Sequence, residues 1–599
     1  MIYLILLWTI LLVLTQAIGL GWLAQLSIGA DWRRGDRLIV AHWLGVILLA
    51  VLALALALVQ PLTGRMAWVL IGLGLVVAGR SGLRSQWQLW RSWRRADWGL
   101  AIAGIAGMAA VMSRAVTWHD AGYYHASVIR WMTEYGVVPG IALLFSNLGF
   151  TSSWFAFVAP WTGPALAQTT VLGNGLVALL LLGQWAIVMR RLLQGHGQMP
   201  DTFMAIFSSG ALAASLMVEP FAAIARSPSP DFPVLALVGV LAWVLLLITQ
   251  PQPALTVPET APKQAALLPL TLAAGAVGIK LTALPLLAVG LGFWLWQGQL
   301  WQGGRSGRNL LTGFALLVAL LGPNLLASIT MSGCPLYPSA ALCLDLPWSP
   351  TTQAVAKIAA GTHNWVSWQG TPPPGMHPWL WALLQVMKNP KDGLIFGAIG
   401  LGLATAIAGL WSQRRSIRLR QLPGEVWVTV LGGIGVGFLL VTSVFTRFLL
   451  PYLLLFAALI GAWIGAWIGS RTDQPPLLAL RRWIAGRGLS LGLSAWATAV
   501  MLVNLVQAQG TNGWLPLPLP QSTIVQKVTN RIIYSAPASG DLHIGDGSPY
   551  KAEDLDRCWA AALPCSYNIP ADVEFRDPKR GIAGGFVRRR VSADAQPAG

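Results

Sequence analysis

The sequence predicts an all-α integral membrane protein of about 14 transmembrane helices, and three observations carry that reading. Of 599 residues, 55% are hydrophobic and only 10% are charged, against roughly 25% charged in an ordinary globular protein. Mean hydropathy is +0.61. Apolar runs recur along the whole chain, at the length of about 20 residues that crosses a hydrocarbon core. A soluble enzyme of this size needs far more polar surface, and so apolar a chain does not stay disordered. The net charge of +18 reads as arginine clusters in cytoplasmic loops and at the lipid surface, not as a nucleic-acid footprint.

The first run, Ile2 to about Ser27, reads as a span. It lacks the basic start, the short apolar stretch and the small-residue cleavage site of a signal peptide. Further spans are expected at 38–60, 67–79, 98–116, 169–189, 202–219, 232–250, 265–280, 281–300, 310–330, 392–411, 424–446, 448–469 and 488–508. The pair at 265–300 is hinged near Lys280 and Pro285. Lys and Arg orient the bundle. Twenty-one of the 40 fall in alternate loops, Arg33, Arg190 and Arg191 among them; nine fall on the other side and ten in the tail after 509. The rich side is cytoplasmic, so both termini are expected outside.

All four cysteines fall on the outer side, as Cys334 with Cys343 and Cys558 with Cys565. Each pair is close in sequence and lies in a Pro-containing segment, as expected of two local disulfides in an oxidising compartment. Four free thiols in a reducing space is the alternative; finger spacing for zinc is missing.

Residues 1–508 form the transmembrane domain, with two large outer loops at 117–168 and 331–391. Residues 509–599 read as a small α+β extracytoplasmic domain with a disordered end. This tail holds 9 of the 22 acidic residues. It has strand-like runs at Thr523–Val528 and Ile532–Tyr534, and an Asp/Gly turn at Asp541–Gly547.

Ionisable groups close to the membrane are costly and are functional candidates by default. The clearest cluster follows the fourth span: Trp118, His119, Asp120, Tyr123, Tyr124 and His125. On a helix, Asp120 and Tyr124 share a face, which suits a base and a donor that orients it over one hydroxyl. The alternative is an interfacial segment with aromatic anchors and a helix cap at Asp120. Other outer groups are Arg226 and Asp231 of the Arg-Ser-Pro-Ser-Pro-Asp turn, Lys280 at the hinge, and Arg447 between two spans. Cations at that depth suit a phosphate at headgroup level; snorkelling, or for Arg226 pairing with Asp231, is the competing reading. His363 and His377 are lone loop histidines with structural roles. The sequence has no P-loop, no H-E-x-x-H, and no G-x-G-x-x-G opening a helix after a strand.

The stretches Asp120-Ala-Gly-Tyr-Tyr-His125, Ile129-Arg-Trp131, Glu134-Tyr-Gly-Val-Val-Pro-Gly140 and Leu148-Gly-Phe-Thr-Ser-Ser-Trp-Phe155 resemble a largely uncharacterised family of bacterial polytopic membrane proteins. Ser227-Pro-Ser-Pro-Asp231, Cys334-Pro-Leu-Tyr-Pro-Ser339, Arg447-Phe448, Gly545-Asp546 and the Cys558 to Cys565 stretch match in kind. That family is similar in layout to GT-C glycosyltransferases, which take a sugar from a polyprenyl-phosphate carrier on the extracytoplasmic side. The resemblance implies a bacterial plasma-membrane enzyme whose acceptor base is Asp120, oriented by His125 or Tyr124. It assigns the carrier phosphate to Arg447 or Lys280, with Arg226, Asp231 and His119 as further binding candidates. In the superfamily the acid usually follows the first span, often as one of a pair. Here it follows the fourth, beside His119, so a divalent cation near Asp120 stays open. Two other functions fit the same outline. A transporter or flippase of lipid-linked saccharide needs polar groups on both sides of the membrane. A surface-polysaccharide polymerase or ligase would lean on His363 and His377.

Overall fold

The computed structural model describes residues 2–26, 32–113, 116–162, 171–250, 265–298, 306–363, 366, 369–388, 400, 422–469, 495, 524–528, 531–535, 563–564 and 572–588. The chain is mostly helical with little strand. In chain order the helices are α1 (Ile2–Gln25), α2 (Arg34–Ala57), α3 (Gly64–Arg91), α4 (Arg95–Met112), α5 (Ala126–Glu134), α6 (Ser153–Val158), α7 (Leu172–Leu193), α8 (Met199–Met217) and α9 (Phe221–Ala225). They continue with α10 (Asp231–Thr249), α11 (Leu267–Ile279), α12 (Leu284–Gly298), α13 (Ser306–Ser332), α14 (Thr352–His363), α15 (Pro378–Lys388), α16 (Gly424–Thr442) and α17 (Thr446–Gly469). Among the described residues, eight helices are long and apolar enough to cross a membrane: α1, α2, α3, α7, α10, α13, α16 and α17. This is the make-up of a membrane-embedded protein.

Helices lie on every expected span before residue 392 and on 424–446 and 448–469; the expected spans 392–411 and 488–508 lie outside the described residues. The stretch 67–79 needs correction, because its helix runs on to Arg91. Gly79 breaks it with φ +58° and ψ −178°, a conformation open to glycine. Before the break Gly74 faces Leu14 and Ile18 of α1, and Ala78 touches Gly21; after it Gly82 faces Ala17 and Gly21. Gln86 Nε2 then donates to Val13 O at 2.8 Å. The arginine-bearing limb thus doubles back along α1. Hydropathy missed it because Arg80 and Arg84 interrupt the apolar pattern.

The core starts from a close crossing of α1 and α2. A Cβ on Gly19 would fall 1.8 Å from Ala41 O, and one on Gly45 1.9 Å from Thr15 O. Backbones meet where side chains are smallest. At the same crossing Thr15 Oγ1 and His42 Nδ1 meet at 3.0 Å.

Two ends of the bundle are defined by α8 and α17, which pack antiparallel: Gly465 faces Thr202, Gly461 faces Ile206 and Gly210 faces Leu454. At the α8 start, Arg33 grips Asp201 through Nη1 at 2.6 Å and Nη2 at 2.9 Å, and Asp36 through Nε at 2.6 Å. Arg191 reaches Asp36 at 2.6 Å and Asp201 at 3.0 Å. Such pairing is what keeps buried carboxylates tolerable. At the other end lie the starts of α10 and α17 and the tip of the α11–α12 hairpin, where Lys280 is extended (φ −158°, ψ 134°). The hinge expected at Lys280 is present. From Arg447 to Gly465 the rise along α17 is about 27 Å, close to the roughly 30 Å of a hydrocarbon core.

The disulfide Cys334–Cys343 follows α13 at the Lys280 end, where Asn324 Nδ2 of α13 donates to Gly278 O at 2.9 Å. Cys558 and Cys565 lie outside the described residues, as do the Asp541–Gly547 turn and residues 589–599. The loop 331–391 carries α14 and α15. In the tail, β1 (Ile524–Val528) pairs antiparallel with β2 (Arg531–Ser535), and β3 (Val573–Phe575) with β4 (Phe586–Arg588). The β3–β4 hairpin docks on the loop that carries Asp120: Phe586 N donates to Pro139 O at 2.9 Å, and the Phe586 ring lies 6.2 Å from Trp131. Gly140 has φ +69°, and a Cβ there would lie 2.3 Å from Phe586 O.

Candidate functional site

A π-helical turn, Ala121–His125, starts directly after Asp120 and runs into α5. Such widened turns recur at functional sites. Asp120 holds the cap position of this turn, yet its side chain makes no capping hydrogen bond. It faces Arg447 instead, with Nη1 3.3 Å from Oδ2. Arg447 sits in the first turn of α17, and its Nε lies 3.7 Å from Asp231 Oδ2. The other Asp231 oxygen accepts from Lys280 Nζ. The result is an alternating row, Asp120–Arg447–Asp231–Lys280, of two carboxylates and two cations. The Ser-Pro-Ser-Pro turn aims Asp231: Ser229 N donates to Ser227 Oγ at 3.2 Å, Asp231 N to Ser229 Oγ at 3.3 Å, and Asn174 Nδ2 to Ser229 O at 3.1 Å.

Aromatic rings flank both cations. Arg447 lies 5.0 Å from the Trp118 ring centre and 4.9 Å from those of Phe445 and Phe448. Lys280 Nζ lies 4.4 Å from Phe448. Ring faces attract cations while excluding water, so the row is held in a weakly solvated setting.

Burial alone would raise the Asp120 carboxyl, but His119, His125, Arg447 and Lys280 outweigh it and hold it well below the usual carboxylate range. It is ionised at neutral pH. Burial pushes the His125 imidazole down to about 4, against the upward pull of Asp120 and Asp231. Its ring packs 5.2 Å from Phe155 and 4.3 Å from Tyr124. Burial also lifts the Tyr124 phenol well above its ordinary value, so Tyr124 is a hydrogen-bond donor. The His125 Nδ1 and the hydroxyls of Ser127 and Ser153 are buried with no hydrogen-bond partner among the described residues.

His119 Nδ1 lies 3.8 Å from Asp120 Oδ1, and its ring is half-exposed. Arg226 pairs with Glu219 at 2.8 Å, while Asp231 is taken by Lys280 and Arg447. His377 is exposed, and His363 ends α14. The residues that sequence reasoning missed as site members are Phe445 and Tyr452; each reads as ordinary span packing, and only the arginine between aromatic neighbours is a signal.

A narrow recess of about 10 Å³, room for about one water molecule, opens beside the row, bounded by Asp231, Thr282, Arg447, Phe448, Pro451 and Tyr452. No group of three or more His, Cys, Asp or Glu among the described residues suits a metal. Arg447 stands between Asp120 and Asp231, so these two carboxylates do not form a cation cage, and the donor set does not fit a divalent ion.

Fold and site together define a membrane-embedded, mostly helical protein with a charged row at one end of its bundle. A family model matches residues 1–454 under the description "Domain of unknown function (DUF8201)", and the chain belongs to that family. All four residues of the row lie within the match. No curated protein and no solved structure matches the chain.

Proposed function

We propose that this is a membrane glycosyltransferase of GT-C-like layout, moving a sugar from a polyprenyl-phosphate carrier to an acceptor on the extracytoplasmic side. In this reading the chain crosses a bacterial plasma membrane about 14 times, with both termini outside. The observation that carries it is the contact of Asp120 with Arg447, in a row completed by Asp231 and Lys280. Supporting the orientation, the disulfide lies at the same end as the row, and the Arg33–Arg191 cluster lies at the opposite end.

The row is electrically balanced when empty. A carrier phosphate therefore enters by exchange: Arg447 turns from Asp120 to the phosphate. Asp120 then loses a cation that holds its pKa down, and becomes a stronger base as the donor arrives. It takes the proton of the acceptor hydroxyl while the acceptor oxygen attacks the anomeric carbon. The bond to the carrier phosphate breaks with inversion, and its electrons go to the phosphate that Arg447 and Lys280 neutralise. In this reading His125 or Tyr124 orients the carboxylate. Base assistance of this kind is worth roughly 100- to 10,000-fold. The test is transfer activity, or analysis of surface glycans, with Asp120→Asn. Full activity in that variant removes Asp120 from the mechanism.

A second reading, transport of the lipid-linked saccharide, draws support from the buried Arg33–Asp36–Arg191–Asp201 network, which places charge at both ends of the bundle. Those four groups satisfy one another, so the network resembles a closed latch more than a lined path. Transport without transfer in reconstituted vesicles would favour this alternative.

A further inference from the structure

After the break at Gly79, α3 runs on from Arg80 to Arg91 as a limb with two unlike faces. The inner face lies on α1: Gly82 faces Ala17 and Gly21, Gln86 Nε2 donates to Gln16 Oε1 at 2.9 Å, and Trp90 Nε1 donates to the same oxygen at 3.0 Å. Arg80, Arg84, Trp87 and Arg91 are spaced four, three and four positions apart, so they form one line on the opposite face. All four are exposed, Trp87 by 55%. Arg94 and Arg95, also exposed, follow at the start of α4. The guanidinium groups of these five arginines meet no carboxylate among the described residues, and Asp97, the acid nearest in sequence, takes Arg190 at 2.5 Å. A helix face that meets only water ordinarily mixes its charges, because like charges four positions apart repel and opposite ones attract. This line carries one sign, with an exposed indole in its middle.

Both ends of the limb lie at the end of the bundle that holds Arg33. Ala78, just before the break, touches Gly21 near the end of α1. Asp97 holds Arg190, the neighbour of Arg191 in the buried network. The limb therefore does not cross the bundle but lies at one membrane surface, the level of lipid phosphates and the level that tryptophan favours. The Arg91 guanidinium lies 5.1 Å from the centre of the Trp87 ring, back along the helix toward Arg84. Arg84 and Arg91 are about 10 Å apart along the axis, so their long side chains can close on one phosphate from two sides. We infer that the line Arg84–Trp87–Arg91, with Arg80, Arg94 and Arg95 around it, binds the headgroup of an anionic phospholipid in the leaflet on the Arg33 side. The excess of arginine that orients spans needs only a number of charges; a line on one helix face, opposite a packed one, adds a register. The site stands apart from the proposed sugar transfer, whose residues lie at the other end of the bundle.

The test uses the full-length protein in detergent, with phosphatidylglycerol bearing a fluorescent acyl chain as probe and equally labelled phosphatidylcholine as the neutral control. Phosphatidylglycerol should bind at least about ten times more tightly than phosphatidylcholine. Affinity should fall about five-fold for each arginine removed, so about 25-fold in the Arg84→Gln, Arg91→Gln variant. A second variant, Arg84→Ser, Arg91→Ser, Ser81→Arg, Ser92→Arg, keeps composition and net charge but moves two guanidiniums about 100° off the line. It should lose as much affinity as the first. Both should melt as the parent does in phosphatidylcholine, because the outward guanidiniums hold no other part of the chain. If the rearranged variant binds as tightly as the parent, net charge alone is at work and the inference is overturned. Affinity of the double variant within two-fold of the parent overturns it too, as does equal binding of the two lipids. A lower melting temperature without anionic lipid would give these arginines a structural role instead. A short RNA that binds more tightly than phosphatidylglycerol, with the same dependence on Arg84 and Arg91, would overturn the lipid assignment.

Discussion

Asp120 and Arg447 are 327 positions apart in sequence and meet at 3.3 Å. One leaves the membrane after α4, and the other begins α17. The contact keeps a carboxylate ionised where few waters reach it. The pair should therefore show coupling in a double-mutant cycle of Asp120→Asn and Arg447→Gln. Thermal unfolding in detergent should give an interaction of roughly 0.5–3 kcal/mol. Strictly additive effects would show that the two side chains act independently.

Asp231 is 5% exposed and its partner Lys280 22%. Asp231→Asn strands an ammonium group in a poorly solvated place, and should cost about 3–5 kcal/mol of stability. Adding Lys280→Met removes the stranded charge and should recover most of the loss. Equal damage in the single and the double variant would show that Asp231 matters for another reason.

His125 carries a pH dependence with a definite sign. Its folded pKa is about 4, against about 6.5 in an unfolded chain. Between those values the unfolded chain binds a proton that the folded chain does not. Its contribution to stability is complete above about pH 6.5 and falls as the pH drops toward 4. His125→Phe, which keeps an aromatic ring beside Phe155, should flatten the melting temperature in that window. An unchanged slope would place the titration elsewhere.

The Cys334–Cys343 link closes a loop with a sequence separation of 9. Replacing both with Ser should lose roughly 2–4 kcal/mol. The same pair reports orientation. In spheroplasts of a Cys558→Ser, Cys565→Ser variant, reduction followed by a membrane-impermeant maleimide should label Cys343, the more accessible of the two. Labelling that needs broken membranes would invert the bundle.

Gly140→Val should release the β3–β4 hairpin, because the position needs φ +69° and has Phe586 O within 2.3 Å of where a Cβ would be. Limited proteolysis should then cleave residues 572–588 faster while the helical bundle stays intact. Equal cleavage rates would separate the hairpin from Gly140.

The bundle was legible because apolar runs of span length have few other uses. Arginine hid the second limb of α3: its contact with α1 runs through Gly82 and Gln86, which hydropathy does not register. The site was legible one residue at a time. Asp120, Asp231, Lys280 and Arg447 each stood out as a charge in an apolar setting. Their order in the row depends on how the starts of α10 and α17 meet the α11–α12 tip, which no local pattern encodes. Arg226 looked equivalent to them in sequence, but its side chain turns to Glu219. Tyr452 was invisible, since a tyrosine inside a span normally packs like a phenylalanine.

The bond from Phe586 to Pro139 has a consequence for biogenesis. The loop bearing Asp120 is made hundreds of residues before the segment that clamps it. A ribosome that stops before that segment would leave helices α1 to α17 made but that loop unclamped. Products lacking it would then reach the membrane with this end of the bundle unfinished, and would differ from longer ones in their resistance to proteases.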